Sequence, residues 1–246
     1  MRIIIISTSI GYLGSGKGGG VELTLNSLVV GLLEKGHDVK VVAPYQSKLS
    51  DQCNSAELIC VKGKAQISWQ HQDYYASAET PQDSIVNALI DKALLLSNDS
   101  DLIINLSYDL LPIRKTLVSQ VPIVHLISMG NESALIKNLV QELSNSNPHQ
   151  FAFHSKRQAN DYKLNIDPII VGNGFEINNY KFQSESQGRI GWAGRIAPEK
   201  GLEDAAEVAN SIGEELYVWG ILEDINYLDS LRNKYSNTIN YRGFLT

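Results

Sequence analysis

Only two cysteines, Cys53 and Cys60, occur in 246 residues, and no His or Cys cluster accompanies them. A disulfide scaffold and a zinc site both need more ligands than this, so the two read as free thiols of a reducing compartment. A surplus of positive charge is also missing. The formal net charge of −6 excludes a protein built mainly around DNA, RNA or an anionic membrane surface. No apolar run approaches the ~20 residues a membrane helix requires. The opening Ile3-Ile4-Ile5-Ile6 is too short for a signal peptide and leads into glycines instead of a cleavage site. The expectation is a soluble cytoplasmic protein with no transmembrane segment.

What is present is an alternation of short β-branched runs and helical periods. Arg2 to Ser7 reads as a strand buried on both faces, because a continuous apolar run suits a covered parallel sheet. After a glycine-rich loop, Val21, Leu25, Leu28, Val29 and Leu32 recur at helical spacing up to Gly36, a C-cap. Val39 to Ala43 is the next strand, completing a βαβ unit. Residues 46–80 read as an excursion of loops and weak strands. Further helices are expected over 84–96, 135–143 and 155–162, the last capped by Ser155, and strands over 102–106, 122–127, 150–154 and 169–171. A polar linker, 183–188, then precedes a second series: strands at 189–193, 216–219 and 239–244, helices at 202–212 and 225–235. The expected organisation is an α/β first domain over 1–182 and a partial second domain over 189–246, since a doubly wound domain ordinarily has five or six strands.

The loop from Gly11 to Gly20 holds six glycines and three overlapping motifs. Gly11, Gly16 and Lys17 open a P-loop, but the next residue is Gly18, where a Ser or Thr hydroxyl would hold magnesium. Gly14, Gly16 and Gly19 fit the dinucleotide fingerprint, but the second strand ends in Ala43-Pro44-Tyr45-Gln46, without the acidic residue that holds a ribose. What survives is a backbone that lets a ligand come close, in front of a helix N-terminus suited to phosphate or a polyhydroxyl group. The alternative is a tight turn and nothing more.

A second constellation is Gly191-Trp192-Ala193-Gly194-Arg195-Ile196-Ala197-Pro198-Glu199-Lys200-Gly201. It puts Arg195 and Lys200 between a strand end and a helix start, the arrangement that receives a diphosphate. Surface ion pairing with Glu199, Glu203 or Asp204 is the competing account. The Asp99-Ser100-Asp101 motif precedes a strand, at the amino end of the sheet, and reads as a turn, not a metal site.

The paired glycines before the first helix, together with G-R-x-x-x-E-K-G in the second series, resemble glycosyltransferase family four, of the GT-B fold. The stretches 13–25, 125–130 and 195–205 are similar in particular to cyanobacterial members that transfer glucose from UDP-glucose to tetrahydrobiopterin. The resemblance implies two Rossmann-like domains with parallel sheets, the second incomplete here because the family's acidic E-x7-E motif is not in the sequence. It implies a retaining transfer from a UDP-sugar to a small acceptor such as a pterin, with no metal and no cofactor beyond the UDP-sugar co-substrate. By the same resemblance His125, Arg195 and Lys200 are catalytic. Gly19, Gly20, Gly194, Arg195, Lys200, Phe244 and Leu245 hold the donor, and Gly16, Glu22, Tyr108 and Asp109 meet the acceptor. Two rivals stand beside this: a non-catalytic ligand-binding or interaction protein derived from such an enzyme, and an NAD-dependent enzyme.

Overall fold

In a computed structural model, which describes residues 1–77, 80–177 and 180–244, the chain divides into two compact units, Met1–Glu176 and Ile177–Thr246. In the first unit, seven parallel strands run in the order β3-β2-β1-β4-β5-β6-β7: β1 (Arg2–Ile6), β2 (Asp38–Pro44), β3 (Glu57–Val61), β4 (Leu102–Asn105), β5 (Ile123–Ile127), β6 (Phe151–Phe153) and β7 (Ile169–Ile170). The chain builds outward from β1 to β3, then returns to lay β4 on the other side of β1. That reversal is a topological switch point, and loops leaving the two central strands part there to open a crevice at the carboxyl edge.

The isoleucine run of β1 is continuous because both faces are covered. Ile3 and Ile5 pack with Leu25, Val29 and Val30 of α1 (Gly20–Glu34), while Ile4 and Ile6 pack with Ile85, Leu89, Ile90 and Ala93 of α2 (Ile85–Leu96). A third cluster, around Phe151, Phe153, Ile136, Val140 and Tyr162, joins β5 and β6 to α4 (Ala134–Ser146) and α5 (Lys156–Asp161). α1 ends as expected: Gly36 takes φ +76°, and the N–H groups of Gly36 and His37 donate back to Leu33 and Leu32 carbonyls. Ser84, Ser133 and Ser155 cap α2, α4 and α5 through their hydroxyls.

One helix departs from the sequence expectation. α3 (Leu110–Lys115) is not among the helices expected from the sequence, and it carries Pro112 in its first turn. Proline is tolerated in a first turn, and Asp109 caps the helix by accepting from the Leu111 N–H.

In the second unit, β8 (Ile190–Ala193), β9 (Leu216–Trp219) and β10 (Ile239–Tyr241) are parallel in the order β10-β9-β8. α6 (Leu202–Ser211) and α7 (Ile225–Lys234) supply Leu202, Ala206, Ala209, Leu228 and Leu231 to a core shared with Leu216 and Val218. At the carboxyl edge, Gly220 (φ +148°) lies so close to the Gly194 carbonyl that an added Cβ would sit 1.6 Å from its oxygen. Glycine is required there by contact as well as by conformation. Among the described residues no helix is long and apolar enough to cross a membrane.

Candidate functional site

In the first unit the loop leaving β1 returns to the helix as the sequence indicates, but its interior is occupied by the protein itself. Glu22, in the first turn of α1 and 7% exposed, turns its carboxylate into the loop. Oε2 accepts from the Gly14 N–H at 2.7 Å and the Gly16 N–H at 3.3 Å; Oε1 accepts from the Gly18 N–H at 2.8 Å and the Ser15 hydroxyl at 3.3 Å. A set of backbone N–H groups gathered on one carboxylate is the geometry of an anion nest, filled here from within. Gly16 and Glu22, both expected to meet an acceptor, therefore bind each other. Gly18 has no room for a side chain, since a Cβ would meet Glu22 and Thr8 at 2.9 Å. Gly19 and Gly20 differ: an added Cβ meets nothing within 4 Å at either, and no side chain caps α1. The end of α1 stays open at the two glycines that the resemblance assigns to the donor.

A pocket of this unit opens at the switch point. It is lined by Thr8 and Ser9 after β1, Val21 of α1, Gln66 to Trp69 of the excursion, Leu106, Tyr108 and Asp109 after β4, and Ser128 and Met129 after β5. Its empty space, counted out into open solvent, is about 400 Å³. Tyr108 and Asp109, the two other residues expected to meet an acceptor, both line it. Asp109 is buried and accepts from Trp69 Nε1 at 3.2 Å and from the Leu111 N–H at 3.1 Å. Desolvation raises its pKa above the usual carboxylate value, more than these bonds offset. The Tyr108 hydroxyl accepts from the Glu132 N–H and bonds to Tyr162, and burial pushes it up to about 12. Tyr162 donates to the Gly130 carbonyl at 2.9 Å, so the tyrosine pair anchors the loop after β5 that walls the pocket.

His125 is not in this pocket. It lies mid-strand in β5, fully buried, with Nδ1 3.0 Å from Asn105 Nδ2, Nε2 2.7 Å from the Thr116 hydroxyl, and its ring stacked on Phe151 at 5.2 Å. Desolvation lowers its pKa to about 3. Both ring nitrogens are engaged inside the core, which differs from the expected place beside a sugar. The residue that β5 presents at its carboxyl edge is Ser128, three positions on. Sequence reasoning passed over Ser128; counting from the strand's end, not from its histidine, would have found it.

In the second unit Arg195 follows β8, and its guanidinium pairs with Glu199 at 3.3 Å and with Glu223. Of the expected carboxylates, Glu199 is the partner used, while Glu203 binds Lys234 at 2.6 Å. Lys200 closes a short 3₁₀ turn, Pro198–Lys200, and its exposed side chain has no ion-pair partner among the described residues. Gly201 (φ +69°) then starts α6 with no side-chain cap. Gly194 packs under Trp192, whose ring an added Cβ would meet at 2.9 Å. Phe244 is half-exposed after β10, and Leu245 lies outside the described residues. Asp101 accepts from the Arg2 N–H at 2.7 Å at the amino end of the sheet, as a turn residue would.

The sequence matches no family model, and no curated protein matches it. Solved structures do share its fold. AviGT4, a glycosyltransferase involved in avilamycin A biosynthesis, superposes with a TM-score of 0.65 at 15% identity over 99% of this chain and 64% of that one. The α,α-trehalose 6-phosphate synthase from Burkholderia multivorans gives 0.53 at 13% over 100% and 72%, and the Streptomyces sp. SF2575 glycosyltransferase SsfS6 gives 0.50 at 12% over 100% and 72%. The chain thus spans 64% of the length of AviGT4. The fold is GT-B: an α/β chain with a seven-stranded parallel sheet and a second, smaller parallel sheet.

Proposed function

We propose that this chain belongs to a nucleotide-sugar-dependent glycosyltransferase of family four, taking glucose from UDP-glucose, with retention, to a small acceptor such as a pterin. The observation that carries the reading is the loop between β8 and α6. A GT-B fold needs somewhere to hold a diphosphate, and this loop brings two cations, Arg195 and Lys200, to a helix end without a side-chain cap. In this reading they offset the negative charge that grows on the diphosphate as the glycosidic bond breaks, with no metal invoked. The acceptor occupies the first unit's pocket against Tyr108 and Asp109. Within the second unit, Gly194 and Phe244 complete the donor contacts. His125 acts from the core, fixing β5 against β4 and α3.

The test is calorimetric titration with UDP and UDP-glucose. Wild type is expected to bind both, Arg195→Ala about tenfold or more weakly, the loss of one charge-assisted bidentate contact. The Arg195→Ala/Lys200→Ala double variant is expected not to bind. A folded chain that binds neither nucleotide overturns the reading and favours the non-catalytic one; binding of NADH instead would favour the dehydrogenase alternative.

A further inference from the structure

Three neighbouring strand ends, those of β5, β6 and β7, converge on one imidazole. His154, directly after β6, places Nδ1 2.8 Å from the Gly172 carbonyl and Nε2 3.2 Å from the Ser128 hydroxyl. The register explains the meeting: Ile127 pairs with Phe153, so the next residues, Ser128 and His154, emerge side by side. Gln158 of α5 locks the arrangement. Its side chain accepts from the His154 N–H at 2.9 Å and donates to the Ile127 and Met129 carbonyls at 2.8 and 2.9 Å, on either side of Ser128. Ser128 lines the pocket.

Proton bookkeeping gives this geometry a direction. A carbonyl only accepts, so Nδ1 of the neutral ring must carry the proton toward Gly172, leaving Nε2 with a lone pair. Ser128 then donates to Nε2, in preference to the Leu126 carbonyl at 3.4 Å, and turns its own lone pairs to the pocket. A hydroxyl bound there can only donate to Ser128. The rival base, Asp109, already uses both oxygens on Trp69, Leu111 and Thr80.

We infer that Ser128 and His154 form a relay that removes the acceptor hydroxyl's proton. The inference rests on the transferase reading above and deepens it by naming an alcohol-type acceptor, presented hydroxyl-first to Ser128. As the acceptor proton passes to Ser128 Oγ, the Ser128 proton passes to His154 Nε2. The electron pair freed on the acceptor oxygen forms the bond to the sugar's anomeric carbon. The bond from that carbon to the diphosphate oxygen breaks, and its pair leaves on the nucleoside diphosphate. The imidazolium returns its proton to water. Ser128 touches the acceptor; His154 acts through it, oriented by Gly172 and Gln158.

Two measurements test the relay. The first follows UDP release from UDP-glucose with tetrahydrobiopterin as acceptor, in wild type, Ser128→Ala, His154→Asn and the double variant. The asparagine amide keeps a donor for the Gly172 carbonyl but supplies no basic nitrogen, which separates a relay from a merely structural histidine. The expected result is a fall in kcat of about 100-fold in each single variant, KM for UDP-glucose unchanged, and no further fall in the double variant. Unchanged kcat, or losses that multiply, overturns the relay. The second is the ring ¹⁵N spectrum of His154. It is expected to show the proton on Nδ1 and an Nε2 resonance that moves on Ser128→Ala; a proton resident on Nε2 overturns the relay. Absence of UDP release from wild type would defeat the transferase reading, and the spectrum would still decide the pair.

Discussion

In the first unit the loop leaving β1 offers the N–H groups of Gly14, Gly16 and Gly18 to a carboxylate from its own helix; in the second, the loop leaving β8 places Arg195 and Lys200 ahead of α6 and holds the arginine between Glu199 and Glu223. The two occupy the same station, a strand-to-helix crossing at the carboxyl edge of a parallel sheet. Their chemistry is opposite. The first has its anion built in, so its glycines serve the loop's shape and leave only the opening at Gly19 and Gly20. The second carries cations, and its carboxylates orient the arginine instead of filling a backbone nest. A glycine-rich loop before a helix is thus no anion site by composition alone; the side chain of the helix's own first turn decides.

The comparison breaks most directly at Glu22. Glu22→Ala strips an acceptor from three backbone N–H groups and the Ser15 hydroxyl, in a half-buried loop. Denaturant melts should show a loss of about 3 kcal/mol, the summed cost of taking a charged acceptor from four half-buried donors. Sulfate, seated in the vacated nest, should then stabilise the variant more than wild type. Equal stability, or an equal response to sulfate, would mean that the carboxylate is incidental and that the two loops differ less than their contacts indicate.

Much of the fold was legible because strand and helix periods agree with what packs on them: the isoleucine run of β1, the Gly36 stop, the Ser155 cap, the second βαβ series. α3 went unread because six residues are too few to show a helical period, and its cap is Asp109, which was read only as an acceptor contact. Tyr108 and Asp109 do follow β4 at its carboxyl end and line the pocket, as their place after a β-branched run indicated. His125 was misplaced because the resemblance set it beside the sugar, although the strand expected over 122–127 already enclosed it. Its burial makes a prediction of its own. With the folded pKa lowered to about 3 and the unfolded value near 6.5, the stability it supports is full above about pH 6.5 and lost as pH falls. At ~1.4 kcal/mol per pH unit, about 2 kcal/mol should go between pH 6.5 and 5. His125→Asn should cost stability at pH 8, by losing the stack on Phe151, yet lose that acid slope. Parallel pH dependences for variant and wild type would place His125 outside the core. Only the first unit contains this buried titrating ring, so isolated-unit melts would also separate the two units by pH.

The smallest effect is the sharpest discriminator. Lys17 and Lys200 are matched: each is an exposed lysine just before a helix, one in a loop already holding its anion, the other beside Arg195. A lysine is a point charge on a flexible stem, so its share of diphosphate binding is modest and screened by salt. Lys200→Ala should weaken UDP binding about fivefold at low ionic strength, roughly 1 kcal/mol, and by less as salt is added. Lys17→Ala should leave UDP affinity unchanged at every salt concentration, because Glu22 already neutralises the nest beside it. If the two substitutions weakened UDP equally, the diphosphate would be sensing long-range charge instead of a built site, and the β8–α6 loop would lose its claim to be the donor end. If Lys17→Ala alone mattered, the nucleotide would belong to the opening at Gly19 and Gly20, and the roles of the two crossings would have to be exchanged.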